Sequence, residues 1–281
     1  MLRQRVITAV LLLSILLPAL FADDPLYFVL CTVALMVAAA WEWGRLSGQA
    51  NTLSLLGAAG LGVVCMGLWL WQIDPAQWAN VWLLAALAWS LLAVFALYCG
   101  AARWLQVPPQ LRYIGGLVLL LASWLALVQS KQAGTNFLLS VMALVWVSDI
   151  CAYFAGRAFG GRWIARKLAV TISPGKTWEG VTGAVLGVGL MALVWAYADS
   201  LSPGVSLSIF SLLAQQWGAM GILLLGLLVA AGVVGDLLES LFKRAAGVKD
   251  SSGLLPGHGG VLDRVDALLP VLPLALCLVS R

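Results

Sequence analysis

Charge is scarce in this sequence: Asp, Glu, Lys and Arg make up 10% of its 281 residues, against roughly 25% in a soluble domain. With 62% of the residues hydrophobic, that shortage excludes an ordinary soluble globular chain. The apolar runs are continuous, with no alternation of apolar and polar residues, which excludes a membrane β-barrel. The five cysteines (Cys31, Cys65, Cys99, Cys151 and Cys277) lie in apolar runs and form no C-x-x-C pair. Neither a disulfide framework nor a zinc site follows from them, and they read as membrane-buried small hydrophobes. The first apolar run, Val6 to Ala22, lacks a good small-residue exit. It is also longer than the ~7–15 residues of a secretory h-region, so it reads as an uncleaved first span. Histidine occurs once, as His258.

What the chain does have is a series of apolar runs of ~20 residues, each able to cross a ~30 Å hydrocarbon core. They fall at about 5–22, 27–46, 53–73, 79–99, 113–130, 136–156, 178–198, 217–241 and 262–280. Backbone polar groups in lipid must be satisfied within the segment, so these runs are expected as helices. The expected fold is an all-α polytopic integral membrane protein with about nine transmembrane helices. Fourteen of the sixteen Lys and Arg residues then share one side of the membrane, leaving Lys131 and Arg281 on the other. The positive-inside rule makes the basic side cytoplasmic, with the N-terminus there and the C-terminus outside. Topology and the site account for the net charge of +4, and no nucleic-acid partner is needed. By content the chain divides at about 132. Residues 1–132 form a scaffold of about five spans with few intramembrane polar groups apart from Glu42. Residues 133–281 hold about four spans with carboxylates and long basic, Gly-rich loops. The external stretch between Ala198 and Trp217 reads as a loop with a short interfacial segment.

Ionisable residues inside spans are costly and are functional candidates by default. Asp149 lies about seven residues, roughly 10 Å, before the end of the sixth span. Asp236 and Glu239 occupy the last two turns of the eighth, Asp263 and Asp266 open the ninth, and Glu179 opens the seventh. These carboxylates on four helices share one membrane depth, and the two i, i+3 pairs each face one way. Glu179 is open between a favourable helix-dipole contact and a functional role. Crowded carboxylates in a low dielectric cannot all stay ionised unless a cation joins them. An all-oxygen donor set favours Mg²⁺ or a similar hard ion over zinc.

Two loops flank the acids. The first contains Ser173-Pro174-Gly175-Lys176-Thr177 ahead of Trp178-Glu179-Gly180. A Walker A loop needs glycine five positions before Gly175; Val170 stands there, so the P-loop reading fails. A serine, a lysine and a threonine at a helix start remain, where free N–H groups attract anions. The second runs from Ser240 through Lys243, Arg244 and Lys249-Asp250 to Pro256-Gly257-His258-Gly259-Gly260, ending Asp263-Arg264-Val265-Asp266. A basic loop alone could be topology or headgroup attraction. Neither explains the glycines around His258 or the acids that follow. The residues leave His258 open between a structural and a catalytic role.

The segment Ser240 to Asp266 resembles the signature of the phosphatidate cytidylyltransferases (CDP-diacylglycerol synthases) of bacterial type. That signature reads Ser-x-x-Lys-Arg, four residues, Lys-Asp, then Pro-x-His-Gly-Gly-x-x-Asp-Arg-x-Asp, and every position is matched. Asp149 to Gly156, with Tyr153, and Ser173 to Gly180 resemble further stretches of that family. The resemblance is strong over roughly 145–270 and general before that. It implies transfer of the cytidylyl group of CTP to phosphatidic acid, with Mg²⁺, giving CDP-diacylglycerol and pyrophosphate for phospholipid biosynthesis. It also implies a multi-pass protein of the bacterial inner membrane, with its site at the cytoplasmic face, and a homodimer that nothing in the spans themselves requires.

On this reading Asp236 and Asp263 are the principal metal ligands, with Asp149, Glu239 and Asp266 as lesser candidates. Asp236, Asp263, Asp266 and Lys249 are the expected catalytic residues. Lys243, Arg244, Lys249 and Arg264 hold the triphosphate or the lipid phosphate, with Ser173, Lys176 and Thr177. His258, Gly259 and Gly260 let the backbone approach the nucleotide. Two rivals are a CTP-using lipid kinase, which would release CDP, and an ion-coupled transporter, whose site would sit near the midplane. The Asp-Gly-x-x-Ala-Arg element of CDP-alcohol phosphotransferases is absent.

Overall fold

The computed structural model describes residues 2–71 and 79–280. Arg281 and the end of the third expected span past residue 71 lie outside the described residues. The described residues form α1 (Leu2–Phe21), α2 (Pro25–Leu46), α3 (Asn51–Leu70), α4 (Ala79–Trp104), α5 (Pro109–Ala133), α6 (Thr135–Phe159), α7 (Trp178–Leu201), α8 (Ile209–Trp217), α9 (Met220–Ala245), α10 (Leu262–Val265) and α11 (Leu268–Val279). No strand is present among them; two isolated bridges, Ala169 with Ser173 and Leu255 with Gly259, close tight loops. Helices α1 to α7 and α9 are each long and apolar enough to cross a membrane. The all-α polytopic fold expected from the sequence is the one observed.

Local chemistry sets several helix ends. Pro25 opens α2 behind Asp24, whose side chain accepts from Leu26 N at 2.8 Å, the usual N-cap contact. Thr177 caps α7 in the same way through Gly180 N. Helix α9 runs past its expected end near 241 to Ala245. Lys243 and Arg244 therefore belong to its last turn, where cations favour the helix dipole, and Val248 N returns to the Lys243 carbonyl at 2.9 Å.

The ninth expected span is broken into α10 and α11 rather than continuous. In an unbroken helix the Asp266 carbonyl would accept from residue 270, which is Pro270 and has no N–H. Residues 262–279 together still span ~27 Å at ~1.5 Å per residue. A Cβ at Gly235 would lie 2.5 Å from the freed Asp266 oxygen. Glycine at 235 is thus what lets α9 approach the break.

Helix α11 is buried along most of its length and packs on α4, α5 and α9. Two apolar clusters form around it. One joins α6, α7 and α8 to α9 and α11; the other joins α2 to α5 to the end of α9 and to α10. Helices α6 and α7 meet through small residues: a Cβ at Gly183 or Gly187 would strike Ala155 or Cys151, a close approach typical of membrane helix pairs. The stretch expected as an external loop with a short interfacial segment contains α8, whose Ile209, Phe210 and Leu213 are buried. Asp199 holds it, accepting from Asn136 Nδ2, Ser208 N and the Ser208 and Ser211 hydroxyls at 2.5–3.0 Å.

Candidate active site

Most of the sequence-selected residues collect around the ends of α6, α7 and α9 and the segment 246–266. Lys176 Nζ pairs with Asp236 Oδ2 at 2.7 Å and donates to the Val233 carbonyl at 3.2 Å. Ser240, one turn on, reaches Asp236 Oδ1 at 3.3 Å. Asp236 and Lys176 share a cleft of about 640 Å³ with Asp149, Tyr153, Arg157 and Thr177. Three glycines (Gly156, Gly175 and Gly180) also line it, leaving backbone accessible. That volume lies within the ~300–1,000 Å³ of small-molecule sites.

A second group sits deeper. The Lys243 ammonium lies 2.5 Å from both Glu239 Oε2 and Asp263 Oδ1. All three side chains are at most 13% exposed. Asp266 connects the groups electrostatically, interacting with both Asp236 and Glu239. Asp149, in turn, interacts with Asp236. Five carboxylates, Asp149, Asp236, Asp266, Glu239 and Asp263, thus interact electrostatically in series, with two lysines paired among them. Glu239 Oε1 is buried and finds no hydrogen-bond partner among the described residues.

Asp263 also grips the segment before it. Its Oδ2 accepts from Ser251 N, Ser251 Oγ and Gly260 N at 2.8–2.9 Å. With Lys243 that makes four donors, about the capacity of a carboxylate. A metal ion at Asp263 would therefore take the place of the Lys243 ammonium. Lys243 itself is committed to two acids and does not line the cleft. Arg244, Lys249 and Arg264 are exposed and enter no ion pair among the described residues.

The Gly-His-Gly-Gly turn is closed by His258 N to Leu255 O at 2.8 Å and Leu255 N to Gly259 O at 2.9 Å. Gly257 and Gly259 have φ of 78° and 84°, the left-handed region that glycine alone enters freely. Gly260 meets a different demand: a Cβ there would lie 2.0 Å from Ser251 Oγ and 2.4 Å from Glu42 Oε1. His258 Nδ1 is buried without a partner among the described residues. Ser173 lies in the loop that Glu179 pins, where Glu179 Oε1 accepts from Trp163 N and Ile164 N at 3.0 Å each.

Three residues outside the expected set also hold the segment. Glu42 of α2 binds both of its ends, Thr8 Oγ1 donates to the Pro256 carbonyl at 2.8 Å, and Arg5 Nε donates to the Gly257 carbonyl at 3.0 Å. An intramembrane carboxylate in an otherwise apolar half was the available signal for Glu42. No signal in the sequence pairs Thr8 with a residue 248 positions away.

No three of the His, Cys, Asp or Glu side chains among the described residues stand as a ready metal cage. The donor set nonetheless fits a hard cation: its acids supply only oxygen donors, and five carboxylates stand against two lysines. Mg²⁺ usually takes one or two carboxylates and completes its shell with water and substrate phosphates, which the cleft wall at Asp236 and Asp149 suits.

A family model described as the cytidylyltransferase family matches residues 3–280. A Pseudomonas aeruginosa protein named phosphatidate cytidylyltransferase is 40% identical, the match covering 99% of this chain and 97% of that protein. Proteins of the same name from Haemophilus influenzae and Brucella suis are 35% and 34% identical. Those matches cover 97% and 95% of this chain and 96% and 89% of the relatives. With a match along nearly its whole length, the chain belongs to the cytidylyltransferase family.

Proposed function

We propose that this chain is a phosphatidate cytidylyltransferase, moving the cytidylyl group of CTP to phosphatidic acid with release of pyrophosphate and dependence on Mg²⁺. The observation that carries the reading is the cleft that brings Asp149, Lys176 and Asp236 together, with Lys176 paired to Asp236. Both reactants are polyanions, so the protein's task is to neutralise charge and align an attack in line.

The nucleophile is a phosphate monoester whose second pKa is about 6, so it is largely ionised at neutral pH and needs no strong general base. Its oxygen attacks the α-phosphorus of CTP, and the bond to the β-phosphate breaks as pyrophosphate leaves. Lys176, with Ser173 and Thr177 at the start of α7, faces the triphosphate. The exposed Arg244, Lys249 and Arg264 steady the lipid phosphate or the departing pyrophosphate. Asp236, with Asp149 beside it, holds Mg²⁺; Glu239, Asp266 and Asp263 extend the same acidic cluster, Asp263 joining only in exchange for Lys243. The bound ion supplies Lewis acidity toward phosphoryl oxygen.

Polar chemistry at the ends of apolar helices suits a substrate whose acyl chains stay in lipid while its headgroup meets aqueous nucleotide. The sorting of lysines and arginines supports a cytoplasmic side for this end, and the family resemblance extends the proposal to the bacterial inner membrane and a homodimer. Purified protein given phosphatidic acid, Mg²⁺ and CTP labelled at the α-phosphate is expected to move label into lipid and release pyrophosphate, with EDTA stopping both. Phosphorylated lipid with free CDP would replace the reading with that of a kinase.

A further inference from the structure

Glu42 is fully buried in the scaffold half of the chain, more than 200 residues from the segment that its carboxylate holds. Its Oε1 accepts from Ser252 Oγ at 2.5 Å and Val261 N at 2.9 Å; its Oε2 accepts from Ser251 Oγ at 3.1 Å and Leu262 N at 2.8 Å. All four donors are uncharged, and they flank the turn that carries Gly257, His258 and Gly259. The carboxylate therefore clasps the two ends of this turn together and satisfies the first N–H of α10, an orphan donor at any helix start.

The same clasp reaches the acidic cluster. The single Ser251 hydroxyl proton is shared between Glu42 Oε2 and Asp263 Oδ2, and Asp263 holds Lys243. Gly260 is packed so closely on Glu42 and Ser251 that no side chain fits. Glu42 is in turn fixed by its own helix. The neighbouring Trp43 donates to the Arg112 and Tyr113 carbonyls at 3.2 and 3.1 Å and packs on Phe242, ring centroids 5.1 Å apart.

We infer that Glu42 is a positioning residue for the cytidylyl transfer: it sets the 251–262 segment, and through Ser251 and Asp263 the place of Lys243, without touching either substrate. The inference rests on the reading of this segment as part of the reaction centre. Glutamine at 42 has nearly the same shape but a single acceptor oxygen. Its amide group must face two of the four donors, and only a serine hydroxyl can turn to accept; a backbone N–H cannot. At least one buried contact is lost, and the turn loosens.

The test uses the full-length protein in detergent, with steady-state kinetics and hydrogen–deuterium exchange on the same preparations. For Glu42→Gln, kcat is expected to fall by about 10²-fold, the scale on which small misplacements act, with the KM for phosphatidic acid held within about twofold. Exchange at residues 260–262 is expected to rise at least about tenfold, as anchored amides open, with the α2 amides unchanged. Ser252→Ala removes one clasp contact and is the milder variant should Glu42→Gln fold poorly; it is expected to shift both readouts the same way by several-fold. Unchanged kcat and unchanged exchange in folded Glu42→Gln would overturn the inference. A fall in yield or thermal stability with kcat intact in the folded fraction would reduce Glu42 to a purely structural role. Faster exchange with intact kcat would overturn its catalytic part and the placing of the segment at the reaction centre. Wild-type label transfer reports separately on cytidylyl transfer itself.

Discussion

Replacing Asp263 by Asn is expected to cut turnover by roughly 10³-fold, the scale seen when a placed electrostatic group is lost, in protein that still folds. The reason is geometric as much as electrostatic. Asp263 Oδ1 meets Lys243, and Oδ2 collects Ser251 and Gly260. An asparagine keeps one acceptor oxygen but presents an NH₂ group to the other set of donors. If the NH₂ faces Lys243, the ammonium loses half of its charge pairing; if it faces the turn, the segment is released. Glu239 and Asp266 remain crowded in the acidic cluster in either case. Turnover measured with α-labelled CTP, beside a size-exclusion profile matching wild type, checks this. Wild-type activity in Asp263→Asn would remove Asp263 from the machinery.

Lys243→Met has the second large expectation, and it concerns stability. Methionine approximates the lysine stem and lacks the ammonium, so Glu239 and Asp263 would face each other nearly buried, with no cation between them. Breaking a buried ion pair by removing one member costs about 3–5 kcal/mol, a large share of the stability of most folded domains. Unfolding of the purified protein by heat or detergent should show the loss directly. The paired variant Lys243→Met with Glu239→Gln should recover part of it, because one of the stranded charges is gone. Equal loss in the single and double variants would mean that packing, and not charge, sets the role of Lys243.

Hydropathy placed the helices because length and apolarity alone decide what can cross lipid. What it missed were breaks and endings. The ninth run looked continuous although Pro270 was visible in it, and the donor that Pro270 removes is what splits α10 from α11. The end of α9 was placed near 241 because Lys243 and Arg244 read as loop residues; as helix-terminal cations they belong in the last turn. At the site, depth along the helices groups Asp149, Glu179, Asp236, Glu239, Asp263 and Asp266 in the sequence; in the fold five of them interact electrostatically with one another, while Glu179 accepts from Trp163 N and Ile164 N instead. Depth carries no information on which cation meets which acid. The bridge from Lys243 to Asp263 and the pairing of Lys176 with Asp236 depend on how four helices rotate about their own axes. Glu42 stood out as the carboxylate of the scaffold half, but its partners lie 209 to 220 residues away. Only the packing of α2 against the segment before α10 shows what it holds.

In the proposed reaction, nucleotide binds in the cleft where Lys176 pairs with Asp236. Calorimetric titration of CTP with Mg²⁺ into wild type and Lys176→Gln, each in detergent, tests it directly. A charge-assisted hydrogen bond contributes ~1.5–3 kcal/mol, so the account expects CTP to bind Lys176→Gln about 10- to 100-fold more weakly, with phosphatidic acid binding unchanged. Equal CTP affinity in the two proteins would place the nucleotide elsewhere and contradict the account.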